Sequence, residues 1–192
     1  MEISASQVKV LRERTGAGIM ECKRALQETD GNLDRAVETL KQQGLAKAEK
    51  KAGRAALQGL IEPYIHAGGR IGAIVEVNCE TDFVARTPEF RALAHDLAMQ
   101  VAALSPRYVS EDDIPGEAMV ELEREYGDRK RALEAVSLLD QGFIKSPSTS
   151  IRDLIKEQIA KVGENIVVRR VARFEVGADL PAANGVEAAD AS

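Results

Sequence analysis

The sequence contains no tryptophan and few other aromatic residues, with four phenylalanines and three tyrosines among 192 residues. Because 44% of the residues are nonetheless hydrophobic, the core must be built mainly from aliphatic side chains. No apolar run approaches the roughly 20 residues that a helix needs to cross a bilayer. The start of the chain, Met1–Ser4, is neither basic nor hydrophobic enough for an export sequence. We therefore expect a globular, cytoplasmic protein without a membrane partner.

Cysteine and histidine are also scarce, with two residues of each. The cysteines, Cys22 and Cys79, lie far apart in sequence, which favours a reducing compartment over a disulfide scaffold. A zinc site needs three or four ligands, and neither His66 nor His95 has a second ligand at suitable spacing. Phosphate-binding loop motifs are missing as well. We expect no metal and no cofactor.

One catalytic pair is conceivable, because Cys79 and His66 fall on two strands that are predicted to pair. A nucleophilic cysteine needs a base and an orienting group. Cys79, however, continues the inward face of its strand, and buried cysteines are usually inert. We therefore expect no catalytic residue and no enzyme activity.

Charge is unevenly distributed in this chain, whose net charge is -5. Residues 1–55 carry eleven Lys/Arg against eight Asp/Glu, whereas residues 111–128 carry eight acids and one arginine. An acidic chain is a poor candidate for broad binding to nucleic acid. The alternative is an RNA-binding factor that uses the basic cluster in the predicted linker. That cluster comprises Lys47, Lys50, Lys51 and Arg54.

The first 45 residues predict a module of three short helices. Ser4 or Ser6 can cap the first helix, and Asn32 can cap the third. Apolar residues recur at helical spacing through the module, and Gly44 is the expected stop. Residues 46–56 are rich in alanine and lysine, which predicts an exposed helical linker.

The period of the apolar pattern changes from 3.6 to 2 after residue 56, which predicts an α+β domain over residues 57–177. Candidate strands cover residues 57–66, 71–79 and 165–176, and helices are expected over 88–104, from about 115, and over 151–162. For the last strand, simple alternation puts Ile166, Val168, Ala172 and Phe174 on one face. The remaining residues, 178–192, are alanine-rich and acidic, which predicts a disordered tail.

Residues 79–85 form a polar turn that carries one aromatic ring, Phe83, directly after Asp82. In one interpretation the turn merely starts a helix, with Thr81 bonding local amides and the ring tucked back. In the other, the turn presents the ring and a charge to a partner. The same two interpretations apply to Ile19 and Met20, because an exposed methionine makes an adaptable contact.

Two segments resemble the signatures of the bacterial elongation factor Ts family. The first, Leu11–Leu26, reads LRERTGAGIMECKRAL, and the second, Glu76–Ala85, reads EVNCETDFVA. The end, from Gln141–Lys145 (QGFIK) to Arg173–Gly177 (RFEVG), is similar to the family too. The resemblance covers about residues 2–177 in the correct order.

This resemblance implies a ubiquitin-associated-like three-helix module, a linker, and a core with a sheet. It also implies nucleotide exchange by binding elongation factor Tu, both GDP-bound and nucleotide-free, without covalent chemistry. In the family the turn enters the GTPase domain of Tu, where the positions matching Asp82 and Phe83 wedge near the nucleotide and magnesium. The implied contacts in the turn are Thr81, Asp82, Phe83 and Val84.

The family's N-terminal module docks on another part of that domain, and the positions matching Leu11, Ile19 and Met20 are implied contacts. Long members carry a second core subdomain that this sequence lacks, so the chain resembles the short form. Short forms are expected to pair, which predicts a homodimer. A generic adaptor, in which only the N-terminal module binds a ligand, remains the second alternative.

Overall fold

A computed structural model describes residues 3–178, and it confirms the predicted α+β class with an antiparallel sheet flanked by helices. Its α-helices are α1 (Ala5–Thr15), α2 (Ile19–Glu28), α3 (Leu33–Glu49), α4 (Asp82–Ala85), α5 (Pro88–Leu104), α6 (Gly116–Tyr126), α7 (Arg129–Val136) and α8 (Ile151–Val162). Its strands are β1 (Gln58–Ile65), β2 (Ile71–Cys79), β3 (Gly142–Phe143), β4 (Ser146–Ser150) and β5 (Ile166–Glu175). The predicted acidic tail lies outside the described residues after residue 178.

The N-terminal module, α1 to α3, starts with an N-cap at Ser4, whose hydroxyl accepts a hydrogen bond from the Gln7 amide at 3.3 Å. Gly16, with φ of +69°, ends α1 in the left-handed conformation that glycine adopts without strain. A small core of fully buried side chains joins the helices, among them Cys22 and Leu26. The three predicted helices are present, and the ubiquitin-associated likeness stays a prediction.

The predicted helix stop at Gly44 is wrong, because α3 continues to Glu49. A Cβ atom at Gly44 would lie 3.1 Å from the Cβ of Ala160 on α8. Glycine therefore serves close helix packing here and not chain termination. The expected exposed helical linker over 46–56 is helical only to residue 49, and Ala48 is buried in the main core.

The central sheet has the strand order β1-β2-β5, with both pairs antiparallel. The inner face of β2 alternates as predicted, and Ala73, Val75, Val77 and Cys79 are all buried. Helices α5 and α8 cover that face, and their apolar stripes complete the main core. The opposite face of the sheet has no helix of residues 3–178 packed on it in this way.

The predicted face of β5 is correct only for its first half. The register against β2 shifts between Glu76 and Val77, which are opposite Arg170 and Val168. A β-bulge of this kind adds one residue to the strand and reverses its alternation. Ile166 and Val168 therefore point into the core, whereas Phe174 points outward and is 67% exposed.

Residues 108–136 form a separate helical cluster with a small core of its own, which includes Met119 and Leu122. The predicted helix start near residue 115 is close to the observed start of α6. In the acidic stretch, the Arg129 guanidinium bonds the carboxylates of Glu111 and Glu123. These bonds connect α7 to α6 and to the turn before it.

Candidate functional site

The turn between β2 and α5 is held by hydrogen bonds at both ends. Thr81 is the N-cap of α4, and its Oγ1 accepts from the Val84 amide at 3.4 Å. Thr87 caps α5 in the same way, and Pro88 occupies the first position of that helix. An isolated single helical turn is unstable in water, so α4 depends on these flanking contacts.

Within this turn Phe83 is the outward-facing residue. It is 79% exposed, while Val84 packs against the main core and Ala85 is buried. The ring is therefore not tucked back, and the first interpretation of the turn is wrong on that point. A large apolar ring in a turn that is anchored through its neighbours is suited to insertion into a partner.

Asp82, directly before the ring, pairs with Arg86 at 2.7 Å between carboxylate and guanidinium. Both side chains are largely accessible, and exposed pairs of this kind contribute little to stability. Asp82 can therefore exchange this partner for another positive group at small cost.

A second turn, between α8 and β5, supports the first. The carboxylate of Glu164 accepts from the Thr81 amide at 2.9 Å and from the Thr81 hydroxyl at 2.6 Å. Reciprocally, the carboxylate of Glu80 accepts from the backbone amide of Asn165 at 2.7 Å. This amide, together with the nearby Arg54 guanidinium, holds the pKa of Glu80 below its ordinary value. Sequence spacing contained no signal for these pairs, because they join residues more than eighty positions apart.

Two of the predicted module contacts lie on the surface and one does not. Ile19 and Met20, at the start of α2, are 58% and 73% exposed. Leu11 is fully buried in the module core, so its prediction as a partner contact is wrong for this conformation. The contact was implied by the family resemblance, whereas the helical spacing alone places Leu11 on the inner face of α1.

The module packs on the core domain through contacts between α3 and α8, which we call the α3–α8 seam. Lys41 pairs with Glu157 and Lys156 pairs with Glu49, each at 3.0 Å. Hydrogen bonding to Glu157 raises the pKa of Lys41. The two predicted contact regions, one on α2 and one at Phe83, are thus carried on connected elements.

The outer face of the sheet, defined here by Ile61, Ile65, Ile74 and Phe174, is an exposed apolar surface. Gly72 on the central strand β2 pairs with Ile65 of β1 on one side and with Phe174 of β5 on the other. Ile74 lies two residues further along β2, on the same face. Sequence reasoning missed this face, although β1 carries apolar residues at both odd and even positions. A strand that is apolar on both faces predicts burial of both.

The conceivable catalytic pair is excluded by the register of the hairpin. Cys79 is opposite Gln58, whereas His66 lies beyond the other end of β1. Burial raises the pKa of the Cys79 thiol, which disfavours the reactive thiolate. Within residues 3–178 no cluster of three or more His, Cys, Asp or Glu side chains could hold a metal ion. No helix in the same residues is long and apolar enough to cross a membrane.

The basic cluster proposed for RNA binding is largely occupied by internal contacts. Lys47 pairs with Glu21, and Arg54 lies 3.4 Å from the Glu80 carboxylate. The Lys51 ammonium donates to the Gly163 carbonyl at 2.6 Å. The Lys51 and Arg54 contacts tie the segment after α3 to the core domain, whereas the Lys47–Glu21 pair lies within the module.

Comparison with known proteins identifies one family. A family model described as "Elongation factor TS" matches residues 45–130. The chain is 50% identical over 198 residues to Elongation factor Ts of Carboxydothermus hydrogenoformans, covering 93% of this chain and 91% of that one. It is 50% identical over 197 residues to Elongation factor Ts of Coprothermobacter proteolyticus, covering 92% of this chain and all of the other. The protein from Herpetosiphon aurantiacus with the same name is 50% identical over 199 residues, with 93% and 100% coverage.

Proposed function

The chain belongs to the elongation factor Ts family of translation elongation factors, and on that premise we propose that it is a guanine-nucleotide exchange factor for elongation factor Tu. It binds the GDP-bound form of Tu, promotes release of GDP, and holds the nucleotide-free form until the next nucleotide arrives. The observation that carries this proposal is the exposed Phe83 ring on an anchored turn.

The ring acts by disrupting the magnesium and phosphate site of Tu. A GTPase holds GDP largely through Mg²⁺ and the backbone amides around the phosphates. The Phe83 ring is inserted beneath the backbone of Tu that surrounds the phosphates, with Asp82 beside it. This insertion displaces the groups that hold GDP. The coupling is reciprocal, so GDP weakens binding of this chain as much as the chain weakens GDP. The chain therefore accelerates exchange without changing the final GDP/GTP ratio.

The module supplies a second contact through Ile19 and Met20. These side chains and Phe83 lie on different elements, and the α3–α8 seam connects them. Attachment at two places keeps the chain on Tu while the ring enters and leaves its site. Thr81 and Val84 contribute by holding the turn, since one caps α4 and the other packs on the core.

The chain pairs with a second copy of itself through the outer face of its sheet. Exposed apolar surface of this extent, on a sheet whose other face is the core, is typical of an interface. A second copy is the natural occupant, since a two-fold axis sets the same apolar residues against each other. The Glu76–Arg170 ion pair, at 2.6 Å on the same face, supplies a polar element.

The exchange factor acts by binding alone, in the cytoplasm, with no catalytic residue, metal or cofactor of its own. It needs neither nucleic acid nor a membrane.

The proposal is tested by release of a fluorescent GDP analogue from elongation factor Tu in stopped flow. We expect acceleration that rises with the concentration of this chain. Phe83→Ala lowers the maximal release rate more than it weakens binding, because the ring acts in the nucleotide-displacing state. Val120→Ala, which shortens an exposed apolar side chain on α6, is the control and keeps the parent rate. No acceleration by the folded parent chain would refute exchange activity, and full activity of Phe83→Ala would refute the wedge.

A further inference from the structure

Glu164 contacts the functional turn without being part of it. Its two carboxylate oxygens receive the two polar hydrogens of Thr81, from the amide at 2.9 Å and from the hydroxyl at 2.6 Å. Both groups are partly buried, where hydrogen bonds to a charged acceptor are strong. One side chain from the α8–β5 turn therefore fixes the residue that begins α4.

The direction of the hydroxyl proton determines the cap. A threonine hydroxyl has one proton to donate and two lone pairs that accept. Since Thr81 donates that proton to Glu164, its lone pairs are free to accept from the Val84 amide at 3.4 Å. A side chain that donated to Thr81 instead would leave the hydroxyl proton without this acceptor. Glu164 thus holds both polar hydrogens of Thr81 while the hydroxyl oxygen caps α4.

The support of the turn continues toward the N-terminal module. Asn165, which is buried, donates its side-chain amide to the Arg54 carbonyl at 2.7 Å. One residue before Glu164, the Gly163 carbonyl accepts from Lys51 at 2.6 Å. The α8–β5 turn therefore contacts both the segment after α3 and the turn that carries Phe83.

We propose that Glu164 is a positioning residue for nucleotide exchange, acting through Thr81 to order the turn that presents the Phe83 ring. This inference rests on the exchange function proposed above. A turn that is ordered before the partner arrives loses less conformational entropy on insertion. Glu164 itself stays half-buried beneath the turn and acts only through Thr81.

The test is a concentration series of Glu164→Gln in the fluorescent GDP release assay. Glutamine keeps the shape of glutamate but presents an amide that donates to the Thr81 hydroxyl. We expect the maximal release rate to fall by about tenfold, the typical effect of losing a helix cap or a charged hydrogen bond. The half-saturating concentration should change less than about twofold, because the Ile19 and Met20 surface still binds.

Two further variants show whether the effect runs through Thr81. Thr81→Val removes the hydroxyl that donates to Glu164 and should match Glu164→Gln in its maximal release rate. In the Thr81→Val background, Glu164→Gln should add little, which is the non-additivity expected of residues that act as a unit. Glu134→Gln removes an exposed carboxylate from α7, in the separate helical cluster, and serves as the matched control.

The outcomes separate the two proposals. If the parent chain fails to release GDP, the exchange function is refuted whatever Glu164 does. If the parent works and Glu164→Gln keeps its maximal rate, the positioning role is refuted. It is also refuted if Glu164→Gln only lowers the melting temperature and raises the half-saturating concentration, since that result reports loss of folded protein.

Discussion

The outer face of the sheet makes a quantitative prediction about Phe174. This residue is 67% exposed and lies on the edge strand β5, beside Gly72 and across from Ile65. In the free chain its ring contributes little to the fold. In a symmetric dimer it would be buried against the second copy. Phe174→Thr, which keeps a residue suited to strands, should therefore leave the fold intact and weaken the dimer.

The size of the effect follows from the exposed fraction. Full burial of a phenylalanine side chain is worth about 1.5–3 kcal/mol, so covering the remaining two thirds contributes about 1–2 kcal/mol per copy. A two-fold interface buries the ring twice, which doubles the loss to about 2–4 kcal/mol. Since 1.4 kcal/mol is a factor of ten, the dissociation constant should rise by roughly 30-fold or more.

Sedimentation velocity over a range of protein concentrations measures this change directly. Val120→Thr is the control, because Val120 is an exposed apolar residue on α6, away from the sheet. The control should sediment like the parent, and thermal melts should show that Phe174→Thr is folded. A parent chain that sediments as a monomer at micromolar concentration, or a Phe174→Thr chain as dimeric as the parent, would refute the interface.

Two other predictions concern contacts between segments that are distant in sequence. Gly44→Leu should lower the free energy of unfolding by about 1–3 kcal/mol, because a Cβ at this position would lie only 3.1 Å from the Cβ of Ala160 and would push α3 away from α8. Gly53→Leu is the control and should not lower it, since a Cβ there would have no neighbour within 4 Å. Thermal melts of both variants check this, and equal melting temperatures would contradict it. The Asn165 backbone amide holds the pKa of Glu80 below its ordinary 4.5. This hydrogen bond therefore stabilises the fold fully above pH 4.5, and its contribution is lost as the pH falls through the lowered pKa. In Glu80→Gln, the free energy of unfolding should therefore fall less steeply as the pH is lowered in the acid range. Urea unfolding at a series of pH values measures this, and a pH dependence equal to that of the parent would argue against the bond.

Local signals predicted most helix boundaries correctly. Ser4 caps the first helix and Asn32 caps the third, as their positions in the sequence allowed. Such boundaries are set by hydrogen bonds within three residues, so the sequence contains the whole interaction. The inward alternation of β2 was predictable for the same reason, because side chains on a regular strand alternate strictly.

The errors arose where distant segments meet. Gly44 has the signature of a helix stop, but the close approach of Ala160 uses its missing side chain instead. Phe174 was placed on the same face of β5 as Ile166 and Val168, and a bulge in the pairing with β2 put it on the opposite face. In each case the deciding contact lies on another element.

The sequence by itself determined the family, the order of helices and strands, and the segment that carries the candidate site, because signatures and caps are local. It could not decide whether Phe83 faces the solvent or the core, since both orientations fit the same turn. Only the tertiary structure decided that, by packing Val84 inward and bonding Thr81 to Glu164 across the fold. The support of an exposed functional residue depends on contacts between remote segments, and these exist only once the chain has folded.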